Sequence, residues 1–161
     1  MDPFLALIED SAFSTALRES DYAFPLSLTV HVASVALVAG TTLPISLRLA
    51  GYLKGVPLAA LVRYLPIFWV GLIISAASGL LLLIAYPTKS LTNPLFYVKL
   101  AAIAAGIAVV WTARRSMTHG AVAPDLPHAR AIGLASLGLW AFVIASGRLL
   151  AYTYSRLMLG F

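Results

Sequence analysis

The chain has 161 residues, of which 61% are hydrophobic and 11% charged, with a formal net charge of +5 and no cysteine. A soluble domain carries about 25% charged residues, so lipid must be the solvent for most of this surface, and the length allows one domain. The lack of cysteine excludes disulfides, thiolate metal sites, iron–sulfur clusters and cysteine nucleophiles, and the basic residues lie scattered among apolar runs as topology signals, not as a nucleic-acid surface.

Met1-Asp2-Pro3 carries no basic n-region, and Glu9 and Asp10 follow soon after. This is not the pattern of a secretory signal peptide, so the first apolar span is expected to be retained. Phe4, Ile8, Phe13 and Leu17 recur near helical spacing. They predict a short amphipathic helix over about 3–18, either lying at the membrane interface or simply packed on top of the bundle.

Four long apolar runs follow, about 25–52, 65–86, 94–112 and 131–154. Each is close to or beyond the roughly 20 residues a helix needs to cross the hydrocarbon core. In lipid the backbone must satisfy itself, so the runs are helices, and none alternates as a membrane β-strand would. The predicted fold is all-α, an integral membrane four-helix bundle in a single domain. Pro44 falls inside the first span and should kink it. Pro66 sits in the first turn of the second, and Asn93-Pro94 reads as N-cap plus N1 of the third. The connection from Ala113 to Arg130 is polar and contains Pro124 and Pro127. Small residues repeat along the spans: Gly71, Ser75 and Gly79, then Ala102 and Gly106, then Ala141, Ala145 and Ser146. Such faces let helices approach closely, within one bundle or between two copies.

Arg48, Lys54, Arg63, Arg114, Arg115 and Arg130 collect at one end. Arg18, Lys89 and Arg156 mark the other, with Lys99 and Arg148 inside the spans. Basic residues favour the cytoplasmic side, which predicts both termini outside the cytoplasm in a multi-pass protein of the bacterial inner membrane.

Ionisable residues inside a span are costly and mark functional candidates. His31, Lys99 and Arg148 qualify. His31 is six residues after Pro25, Lys99 five after Pro94 and Arg148 six before Tyr154. At 1.5 Å per residue all three lie roughly 8–9 Å below the same outer surface, although the helices alternate in direction. Glu19 and Asp21 are candidate counter-ions, and Tyr97, Tyr152 and Tyr154 add hydroxyls at a similar level. Each cation has a plainer alternative: Lys99 and Arg148 snorkel, and His31 is a satisfied core histidine.

A site of this kind suits haem b or a quinone. His31 would be the haem's axial ligand, with Lys99 and Arg148 pairing its propionates. A second histidine on a facing helix is lacking, which leaves a five-coordinate haem, a Met158 ligand, or a haem shared by two copies of His31. A quinone carbonyl, or the phosphate of an anionic lipid, needs only a donor. His119, His128 and Asp125 could hold a divalent cation weakly, though their spacing is unspecific. No Walker loop, nucleophile elbow or His-Glu-x-x-His motif occurs, and no acidic residue lies in a span, which disfavours an enzyme, a proton pump and a cation-coupled carrier.

Several segments together form a recognisable pattern: Leu17-Arg18-Glu19-Ser20, His31-Val32, Gly40, Ser46-Leu47-Arg48-Leu49-Ala50-Gly51, Leu65-Pro66, Ser78-Gly79-Leu80-Leu81, Thr92-Asn93-Pro94 with Phe96 and Lys99, Ala135 to Trp140, and Ser146 to Tyr152. Over nearly the whole chain they resemble a family of short four-helix bacterial membrane proteins labelled as a domain of unknown function. That pattern includes positions matching His31, Arg48, Lys99 and Arg148, and it brings no accepted activity. A looser likeness, carried by a histidine early in a helix, is to the copper-resistance D family and small cytochrome-b-like proteins. The expectation is a non-enzymatic inner-membrane protein binding haem b or quinone through His31, Lys99, Arg148 and Tyr152 in a redox context. Alternatives are an accessory subunit packed against a larger membrane complex, and a small transport or metal-handling protein. The expected partners are membrane lipids and either a larger redox complex or a second copy, with no nucleic acid.

Overall fold

A computed structural model describes the backbone of residues 3–118 and 128–158 and the side chains of residues 3–115 and 128–150. Its elements, all helical, are α1 (Pro3–Glu9), α2 (Ala12–Glu19), α3 (Ala23–Leu49), α4 (Leu58–Val62), α5 (Leu65–Ala85), α6 (Pro87–Leu91), α7 (Pro94–Thr118) and α8 (Ala129–Met158). Among the described residues, four segments are long and apolar enough to cross a membrane: Ala23–Leu49, Leu58–Ala85, Pro94–Arg115 and Ala129–Leu150. Only 17–28% of the most apolar stretch of each is buried inside the protein. The rest is apolar surface that water would not tolerate, so the chain is a multi-pass membrane protein.

Helix ends follow local chemistry. Asn93 Oδ1 accepts from Leu95 N (3.0 Å), with Pro94 opening α7. Gly51 takes a φ of +92°, a left-handed turn that a side chain would strain, and ends the α3 exit. α3 continues through Pro44. Just before it, Thr41 Oγ1 and Thr42 Oγ1 bond the carbonyls of Leu37 (2.9 Å) and Val38 (2.9 Å).

The four long helices pack in the order α5, α3, α8, α7. α3 packs on both α5 and α8, and α8 packs on α7. α5 and α7 approach one another less closely, and Phe68, Trp69, Leu72, Ile103 and Ile107 join one apolar core with residues of α3 and α8. The closest crossing joins α3 to α8. A Cβ on Gly133 would lie 2.4 Å from Ala50 N and 2.6 Å from Ser46 O. Only a hydrogen fits there. Beside it Ser46 Oγ and Ser136 Oγ are hydrogen-bonded at 2.8 Å, both buried. Gly71 serves the α3–α5 contact, where a Cβ would stand 3.2 Å from Ser34 O. Gly106 leaves room for the Trp140 ring between α7 and α8. Small residues thus do the packing within the bundle, as lipid-solvated helices require. Ala141 and Ala145, expected at contacts, instead face outward, and Ser146 faces in. The inner edge of α8 runs Gly133, Ser136, Trp140, Val143, Ser146, which leaves those alanines on the far side.

The N-terminal segment is two helices, not the single one expected. Ser11 adopts an extended conformation, and its Oγ caps α2 by accepting from Ser14 N (3.3 Å). The pair docks on the α5–α6 corner. Ser14, fully buried, donates to Ile84 O (2.9 Å), and Arg18 donates to Ala85 O (3.2 Å). These carbonyls end α5 and have no partners within the helix. Glu9 bonds the Thr88 hydroxyl and accepts from Thr88 N (3.4 Å), capping the start of α6. An Arg18–Glu9 ion pair (3.9 Å) closes the clamp over the Tyr86 ring.

Candidate functional site

His31 and Lys99 both lie on inner edges of their helices. On α3 the inward positions run His31, Ser34, Val38, Thr42, Ile45 and Leu49; on α7 they run Lys99, Ala102, Gly106, Val110 and Ala113. Both side chains are half-buried, and the Lys99 ammonium is within electrostatic reach of the imidazole.

The His31 ring is held against α5. Nδ1 lies 3.0 Å from Ser75 O and 3.1 Å from Ser78 Oγ. A carbonyl can only accept, so Nδ1 carries the proton and donates. The Ser78 hydroxyl already donates to Ile74 O (2.7 Å), which leaves its lone pair for the same proton. In the neutral ring Nε2 then bears the free lone pair. Among the described residues nothing is hydrogen-bonded to Nε2. Gly79 is what lets the ring lie there, since a Cβ on it would come 3.1 Å from Cε1.

Lys99 reaches from α7 towards α8. Its Nζ lies 3.4 Å from where a Cβ on Gly147 would be. Among the described residues it makes no hydrogen bond and no ion pair. The two glycines, Gly79 and Gly147, therefore make room for two polar heads in one layer. The geometry offers an acceptor, Nε2, and a charged donor, Nζ, in the interior of an apolar bundle.

The other expected residues are placed differently. Arg148 is exposed on α8, on the outward row with Ala141 and Ala145. The Tyr152 side chain lies outside the described residues, as do Tyr154 and Met158. Tyr97 is exposed and spends its hydroxyl on Leu91 O (2.9 Å), closing the turn between α6 and α7. Glu19 and Asp21 are exposed and, among the described residues, make no ion pair with the cations of the layer; Glu9 pairs with Arg18. Arg48 donates from Nε to Val56 O (2.6 Å), which ties down the turn after α3. At the opposite end His128 is exposed, while His119 and Asp125 lie outside the described residues. Ser75, Ser78, Gly79 and Gly147 were not singled out as partners of the cations from sequence. The signal was there in part: Ser75, Ser78 and Gly79 sit on the α5 face that also carries Gly71.

A family model described as a family of unknown function, DUF6644, matches residues 20–153. The match takes in all four spans and His31, Arg48, Lys99, Arg148 and Tyr152, and it begins after Glu9, Ser14 and Arg18. No curated protein and no solved structure matches the chain.

Proposed function

The chain belongs to DUF6644, a family of unknown function, and from that premise we propose that it is a non-enzymatic membrane protein that holds a quinone or haem b at the His31–Lys99 layer. One observation carries this. The His31 ring is fixed through Nδ1 to the Ser75 carbonyl, and this leaves Nε2 open. Histidines that bind a metal or ligand through one nitrogen are generally oriented in this way through the other. A quinone uses both heads: Nζ donates to a carbonyl, and Nε2 accepts from a hydroxyl of the reduced form. Haem b uses Nε2 as an axial ligand, and Lys99 pairs a propionate. One chain then supplies one imidazole, because the other described histidine, His128, lies at the far end.

The same reading puts the protein in the bacterial inner membrane with both termini outside the cytoplasm, and the six arginines and lysines at the Arg48 end support it. The site then lies in the outer half of the bilayer.

The test is ligand retention by the purified full chain. Haem addition should give a Soret band that is lost in His31→Ala, or a menaquinone analogue should be retained and detected by native mass spectrometry. Lys99→Leu should weaken retention by about tenfold or more, the cost of one charge-assisted hydrogen bond. The proposal fails if neither ligand is retained, or if His31→Ala changes nothing.

A second reading is favoured by the outward row of Gly138, Ala141 and Ala145 on α8, which leaves a smooth face exposed to lipid. It is an accessory subunit packed against a larger membrane complex. A gentle detergent extract that gives only the lone chain would remove it.

A further inference from the structure

The spacing of Phe4, Ile8, Phe13 and Leu17 leaves two places for the N-terminal helices, in the membrane interface or stacked on the bundle in water. We infer that α1 and α2 form one interfacial unit, with Phe4, Leu7 and Phe13 among the acyl chains of the leaflet at that end of the bundle. The partner is the lipid surface itself, and the inference is independent of what the His31–Lys99 layer binds.

The polarity of the pair is inverted. Its docked side carries, beside Leu17, the hydrogen-bonding groups: Ser14 is fully buried, and Glu9 and Arg18 are half-buried in an ion pair. Its outer side is apolar, with Phe4 65%, Leu7 72% and Phe13 58% exposed. Water on that side would favour the opposite arrangement, whereas lipid favours this one. The pair also sits at the level where the spans end. Ser14 and Arg18 bind the carbonyls of Ile84 and Ala85, at the end of the second span, and α2 stops at Glu19, just before the first span opens at Ala23. Tyr22 and Tyr97, both exposed, stand at the starts of α3 and α7, as tyrosines do at a membrane–water boundary. Exposed leucines, Leu26 on α3 and Leu80 on α5, carry the lipid-facing surface of the spans up to this end. The charges of the segment point to apolar insertion, not to attraction by anionic headgroups. Asp10, Glu19 and Asp21 are exposed, while Arg18 is held by Glu9 and Ala85 O. Glu19 lies about 120° round α2 from Phe13. The helix therefore has an apolar edge for the acyl chains and an acidic edge for water, as a helix lying in the interface plane requires.

The lack of cysteine allows the test on the full chain. Leu7→Cys, Phe13→Cys, Glu19→Cys and Lys54→Cys, all at exposed positions, each take one nitroxide label, and the protein is placed in nanodiscs of dioleoyl phosphatidylcholine. Power-saturation EPR reads collisions of the label with oxygen, which concentrates in lipid, and with a water-soluble nickel chelate. The oxygen-to-nickel ratio should be several-fold higher at Leu7 and Phe13 than at Glu19 and Lys54. Phe4→Cys repeats the reading at a separate site, should one variant fail to fold. A ratio at Leu7 and Phe13 no higher than at Lys54 means that water faces them, and overturns the inference. Weak collision with both reagents means that protein covers the face, and dipolar broadening would identify that protein as a second copy; this also overturns it. Added salt should leave the ratios unchanged. A ratio that rises at Leu7 and Phe13 only when phosphatidylglycerol is included would make the contact electrostatic, against the inference.

Discussion

A methyl group on Gly133 would stand 2.4 Å from Ala50 N and 2.6 Å from Ser46 O. Both obstacles are backbone, which cannot rotate out of the way, so Gly133→Ala must push α3 and α8 apart. The expected loss is about 3 kcal/mol or more, read by unfolding in mixed micelles. Gly138, five residues along the same helix, has nothing within 4 Å of its missing Cβ. Gly138→Ala should therefore stabilise the helix by about 0.5–1 kcal/mol. Equal effects at the two positions would contradict the packing described for α8. Gly79→Ala is a subtler case. Its methyl would meet His31 Cε1 at 3.1 Å, so the ring must turn while His31 itself is retained. Ligand retention should fall, and helicity should not. At this scale sequence gave the level of His31 and Lys99, because depth in a membrane follows from counting residues. It did not give their settings. Whether Lys99 points to α8 or to lipid depends on which way α7 is rotated, and Arg148, at matched depth, faces outward.

Helix existence was legible because hydropathy and length are enough when lipid is the solvent. Helix rotation was not, and the reason is physical. The inward positions include Ser34, Thr42, Ser46, Ser78, Ser136 and Ser146, all buried, while leucines and isoleucines such as Leu43, Ile73 and Leu80 are exposed. With apolar lipid outside, the interior need not be the more apolar side, so hydrophobic periodicity says little. Residue size and hydroxyl content carry the signal instead. The break at Ser11 was hidden for another reason, since α1 and α2 keep an approximate apolar periodicity across it. Two outcomes follow for these elements. Removing the Ser46–Ser136 bond should cost only about 0.6 kcal/mol in a double-mutant cycle, the usual size for such bonds within lipid. Ser14→Ala, which uncaps the end of α5, should cost about 1 kcal/mol. It should also raise hydrogen exchange over residues 3–19 more than in the long helices.

For the molecule as a whole, the distribution of charge makes a topological statement that the lack of cysteine makes easy to check. Single cysteines at two exposed sites, Asp21→Cys and Lys54→Cys, report the two ends separately. An impermeant maleimide on intact cells should label the first and spare the second. The reverse pattern would turn the protein over and place the His31–Lys99 layer in the inner leaflet.

The clamp on the α5–α6 corner also sets an order of assembly. Ser14 and its acceptor Ile84 O are 70 residues apart in the chain. At about 5–20 residues per second, the ribosome needs roughly 4–14 s to make that stretch. During this interval α2 has only α3 to pack on, and the carbonyls that Ser14 and Arg18 bind do not yet exist. The first helices to be made are therefore among the last to settle. Phe4, Leu7 and Phe13 stay exposed even after docking, so this apolar face rests on the membrane surface before and after the far end of α5 arrives.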